Sequence, residues 1–74
     1  MKAFTLVGVD GNAFSVMGYT ARALKTAGLG DKSHEMTEKA TSGDYNNLLC
    51  VCMEYIDMAN NKLREDGYEL EEEE

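Results

Sequence analysis

The sequence predicts a small α+β domain, one N-terminal strand followed by three helices in the order β-α-α-α. Three observations carry this. Residues 3–9, AFTLVGV, hold β-branched and aromatic residues at strand density. The stretch after the Asp10-Gly11-Asn12 turn repeats its apolar residues at three- and four-residue spacing, and so does the stretch that begins at Tyr45.

Taken in order, the strand places Phe4, Leu6 and Gly8 on one face and Thr5, Val7 and Val9 on the other. Both faces are largely apolar, so the strand is expected to be covered on both sides. The Asp10-Gly11-Asn12 turn leaves two continuations. AFSVMGY could return as the second strand of a hairpin, or Asn12 could cap a helix. The helix fits better. Phe14, Met17, Ala21 and Leu24 form one stripe, Val16, Thr20, Ala23 and Ala27 the next, and Gly28 stands where a left-handed cap belongs. Gly18 costs this helix roughly 0.8–1 kcal/mol against alanine. It would make sense where another backbone passes close.

A short surface helix is expected over residues 32–41, with only Met36 and Ala40 as its apolar face. Ser42-Gly43-Asp44 should end it and cap the third helix. There Tyr45, Leu48, Leu49, Cys52, Tyr55, Ile56, Ala59 and Leu63 follow the helical template, and Val51 and Met58 widen the apolar surface. That width suggests contacts on two sides. The domain is expected to span residues 1–66, and residues 67–74, GYELEEEE, read as a disordered acidic tail.

A lone buried strand leaves its backbone donors and acceptors without partners, at about 1–3 kcal/mol for each orphan. The simplest remedy is the same strand of a second copy, giving a two-stranded ribbon across a homodimer. On that expectation Phe4, Leu6, Val51, Tyr55 and Met58 form the interface. A chain of 74 residues buries only roughly 60–65% of its unfolded surface, which also favours oligomerisation.

The formal charge is −7. Residues 1–30 set Lys2, Arg22 and Lys25 against Asp10 alone, whereas the last eight residues contribute five glutamates. No basic stripe is present that could release counterions from nucleic acid, so direct nucleic-acid binding is not expected. A protein partner with a basic surface is. No apolar run approaches the ~20 residues that span a bilayer. The N-terminus has neither a full apolar signal core nor a small-residue cleavage site, so the expected location is cytoplasmic. Cys50 and Cys52 stand about 200° apart on their helix, too far round to bridge, and His34 is the sole histidine. No metal, no cofactor and no catalytic constellation is expected.

Candidate ligand-binding residues cluster at the first turn. A helix N-terminus with backbone N–H groups suits a small anion, with Gly11, Asn12 and Ser15 around it. Asp10 at the same turn would repel the anion, though with Asn12 it could face a hard cation. Tyr45, at the polar start SGDYNN of the third helix, could add a hydroxyl. The ordinary reading of this turn is an Asx cap.

VGVDGNAFSVMGYTARALKTAG and SGDYNNLLCVCMEYIDMANNKL together resemble a family of small bacterial and phage proteins with no established activity. The resemblance spans nearly all of the chain except the acidic tail and contributes no catalytic residues. It implies an accessory role, as a regulator or as a phage product that sequesters a host component. Two classes of function are therefore expected: a non-enzymatic protein-binding module, or a small-molecule or nucleotide binder at the first turn.

Overall fold

The computed structural model describes residues 1–72 and is helical. Helix α1 runs Ala13–Thr26, a single 3-10 turn covers Gly30–Lys32, α2 runs Ser33–Ala40 and α3 runs Tyr45–Glu65. Each start has a local cause. The Asn12 side chain accepts the Phe14 N–H at 2.8 Å, and Asp44 accepts the Asn47 N–H at 2.9 Å, each satisfying a donor that the first turn leaves open. At the end of α1, Gly28 adopts φ 79°, and the Leu29 N–H returns to the Leu24 carbonyl at 2.7 Å.

α1 and α3 run in the same direction with α2 returning between them, so the order is up, down, up. Gly11 and Tyr45 meet at one end, and Leu29 lies with Met58 and Glu65 at the other. The core takes Val16, Thr20, Ala23, Leu24 and Ala27 from α1, Met36 and Ala40 from α2, and Leu48, Val51, Cys52, Tyr55, Ile56, Ala59 and Leu63 from α3. In α1 it is therefore the second expected stripe that faces inward. Its alanines let α3 approach closely. Thr20 buries its hydroxyl by donating to the Val16 carbonyl at 2.8 Å, which leaves the chain's buried polar inventory satisfied at that point. α2 is pinned by Tyr55, whose hydroxyl donates to Glu35 while Lys39 lies 5.6 Å above its ring. That bond holds the Glu35 carboxyl below the usual carboxylate range, against the desolvation that opposes it.

The expected β-α-α-α, α+β fold is overturned. Among the described residues there is no strand, only one isolated parallel bridge between Lys2 and Glu71. Residues 3–9 leave an extended path at Leu6, where the chain turns through Gly8 at φ 82° and the Val9 N–H reaches the Leu6 carbonyl at 3.1 Å. The first part of this segment is a strap laid across α1 and α3. Its backbone needs are met by side chains. Asn60, 6% exposed, accepts the Phe4 N–H and donates to the Phe4 carbonyl, both at 2.9 Å. Tyr19 accepts the Thr5 N–H at 2.8 Å.

The argument for a ribbon between two copies loses its premise, because the donors that seemed to need a second chain are paired within one. The hairpin alternative fails as well, since AFSVMGY opens α1.

Residues 69–71 of the expected tail run beside the strap. The Ala3 N–H donates to the Glu71 carbonyl and the Glu71 N–H to the Met1 carbonyl, each at 2.9 Å. Residues 73 and 74 of that expectation lie outside the described residues. Gly18 also departs from expectation. A Cβ there would meet nothing within 4 Å, so no neighbouring backbone explains it.

Candidate functional site

The two turns that stood out in the sequence, DGN and SGDYN, come together at one end of the bundle. Asp10 accepts the Asn12 N–H at 3.0 Å, closing the first turn so that Asn12 can cap α1. The second turn is tied down by Asn47, whose side-chain amide donates to the Lys39 carbonyl at 2.9 Å and so fixes the end of α2 to the start of α3. Gly43 fits closely there, because a Cβ would sit 3.0 Å from the Asn47 side chain and push it aside by a few tenths of an ångström. Tyr45 then joins the turns by donating its hydroxyl to the Gly11 carbonyl.

Beside this junction lies an apolar groove of about 390 Å³. Ala13, Phe14 and Met17 of α1 form one wall, Ala40, Thr41, Gly43 and Asp44 another, and Tyr45 and Leu48 the third. Phe14 stands at its edge 82% exposed, the most exposed of the large apolar side chains, and Tyr45 is 45% exposed. Both sit on backbone held by caps and inter-turn bonds, so the surface they present is preorganised. The arrangement can bind; a chemical step would need a nucleophile and base in contact, and the side chains here are engaged in holding turns together.

Of the candidate ligand residues, Asp10, Gly11, Asn12 and Tyr45 share this end. Ser15 opens instead onto a separate shallow depression with Val9, Gly18, Tyr19 and Arg22. The hydroxyl proton of Tyr45 is committed to the Gly11 carbonyl, so one donor proposed for an anion is used by the fold, whereas Asn12 caps α1 through its oxygen, which is not the atom that would meet an anion.

Of the candidate interface residues, Val51 is 9% and Tyr55 2% exposed, and both pack inside the monomer. Phe4 and Leu6 are half-buried in the strap, Phe4 edge-on to Tyr19 at 5.8 Å between ring centres. Met58 lines a groove with Leu29 on the far side of α3. His34, paired with Glu38 at 3.0 Å, lies on exposed α2 surface. Among the described residues no group of three metal-ligating side chains converges, and no helix is long and apolar enough to cross a membrane.

Phe14 and Gly43 belong to the site and were not singled out for it by sequence, whereas Asp44 was read as a cap of the third helix that could also hydrogen-bond a ligand near the first turn. Phe14 was counted in the core stripe of α1. On that stripe Leu24 is buried and Met17 and Ala21 are half-buried, so the spacing alone does not mark Phe14, at the first turn, as facing outward.

Comparison of the chain with protein-family models, with curated proteins and with solved structures finds no match.

Proposed function

We infer that this protein is a non-enzymatic interaction protein, and that it grips a protein partner with the end of the bundle where the two turns meet. The single observation behind this reading is Phe14, 82% exposed on a capped helix start beside an apolar groove. Covering a phenylalanine side chain that projects into water contributes about 1.5–3 kcal/mol. Aromatic anchors next to pockets are where binding energy concentrates. Val7 and Met53, also exposed, flank a second groove of about 280 Å³ with Phe4, Leu6 and Ile56, away from the meeting of the turns, and neither is an aromatic anchor. On this reading the protein plays an accessory role in the cytoplasm, exerted by occupying a partner.

A photoactivatable phenylalanine analogue placed at Phe14 tests this in cells that naturally carry the protein, with the same analogue at exposed Thr26, at the opposite end of α1, as control. The expected result is a cross-linked species, analysed by mass spectrometry, from position 14 and none from position 26. Equal yields from both positions, or none from either, refute the reading. A product containing two copies of this chain would identify the partner as itself.

A further inference from the structure

The rim of the Phe14 groove carries a charge pattern that its apolar floor does not need. Asp44 lines the groove, and Asp10 stands one residue before Gly11, whose carbonyl takes the Tyr45 hydroxyl. The hydrogen bonds they make are to backbone N–H groups, Asp10 to Asn12 at 3.0 Å and Asp44 to Asn47 at 2.9 Å. No lysine or arginine lines the groove. Lys39, close by on α2, sends its ammonium the other way, over the Tyr55 ring and to within 3.9 Å of Glu35. An apolar, aromatic surface thus has one carboxylate in its lining and a second in the adjoining turn, on a chain whose formal charge is −7.

We propose that this end recognises a basic polypeptide segment with an apolar anchor. A leucine or aromatic side chain seats in the groove against Phe14, and a lysine or arginine nearby on the same segment meets Asp10 and Asp44. This rests on the reading of the Phe14 end as the binding surface and adds the partner's chemistry. The apolar anchor carries most of the affinity, while the rim charges supply orientation and association rate. A cation held over Phe14 or Tyr45 gains a further attraction from the ring face. A second copy of this chain would bring like charges to the same rim, which is why a basic partner fits better.

Three synthetic helical peptides of about fourteen residues serve as probes: leucine with lysine, leucine with glutamate, and serine with lysine. Each is titrated into the full-length protein labelled for NMR. The leucine–lysine peptide is expected to shift the amides of Asp10, Gly11, Phe14, Gly43 and Tyr45, and the other two to leave them in place. Phe14→Ser should weaken binding at least tenfold. Asp10→Asn and Asp44→Asn keep the turn and cap bonds, since asparagine caps as well as aspartate. Each should weaken binding about threefold and flatten its dependence on salt.

Binding of the glutamate peptide with equal affinity overturns the charge assignment. Shifts centred on Glu54, Asp57 and Glu65 of α3 overturn the location. Absence of binding by the leucine–lysine peptide at millimolar concentration overturns the proposal as a whole, while a cross-link from position 14 would still stand for the broader reading.

Discussion

Replacing Asn60 with alanine removes the side chain that pairs with both the N–H and the carbonyl of Phe4 in place of a neighbouring strand. Its amide makes two bonds with the Phe4 backbone, each 2.9 Å long, from a site that is 6% exposed. Each such bond contributes about 0.5–1.5 kcal/mol, and losing the partner leaves the Phe4 N–H and carbonyl only partly able to reach water. The expected loss is about 2–4 kcal/mol, a large share of the roughly 4–11 kcal/mol that a chain of this size commands. Urea unfolding followed by circular dichroism measures it, and hydrogen exchange at the Phe4 amide shows whether the strap lifts before the helices melt.

Asn60→Asp sharpens the test. The ionised carboxylate still accepts from the Phe4 N–H but turns its second oxygen against the Phe4 carbonyl, whereas the protonated form can donate to it. The introduced carboxyl therefore has a folded-state pKa above its unfolded value. Its deficit is fully present above that folded pKa and shrinks as the pH falls through it. An alanine variant within about 1 kcal/mol of the parent, or an aspartate variant with no such recovery, would refute the account of the strap given above.

Three further outcomes follow from the same structure. Tyr55→Phe removes the donor that holds Glu35 below the usual carboxylate range, and it should lower the urea midpoint at neutral pH. A depressed carboxyl contributes stability above its unfolded pKa and loses it as pH falls through the folded value, so Glu35→Gln should flatten the acid limb below about pH 4.5; an unchanged limb counts against the Tyr55–Glu35 bond. Gly18→Ala should raise stability by about 0.8–1 kcal/mol, because the site is exposed mid-helix with open space around a Cβ, and a calorimetric loss would mean that the glycine is needed. Iodoacetamide should label native protein once, at exposed Cys50, while buried Cys52, whose thiol is pushed up by burial, reacts only after denaturation; peptide mapping distinguishes the two.

The helices were legible because their signals are local. Asn12, Asp44 and Gly28 mark ends through caps that involve neighbours only a few residues away. The long apolar period of α3 needed no outside information either. The strap was misread because the composition of residues 3–9 reports a half-buried extended surface, whatever supplies the pairing. Its partners, Asn60 and Tyr19, lie 56 and 14 residues further along, and no local pattern ties a buried amide to the backbone of Phe4. The excess width of α3 had been read from Val51 and Met58: Val51 packs into the monomer's own core, while Met58 lines the groove with Leu29. At the candidate site the sequence marked both turns, but their meeting depends on α1 and α3 running in the same direction. Tyr45 reaching Gly11 is a product of that arrangement.

The contact between the two ends of the chain has a consequence for how the molecule can be rebuilt. The Met1 amine donates to the Glu69 carbonyl at 3.1 Å, and the Met1 carbonyl accepts from Glu71, so the backbone is close to a ring with one gap. A short linker across that gap, with new ends opened at exposed Gly30 in the α1–α2 connection, would change the order of the elements and leave the Gly28 cap and the helix packing in place. A permuted chain of this kind would free both new termini for tags or fusions at the pole opposite Phe14, where neither the strap nor the binding end is disturbed.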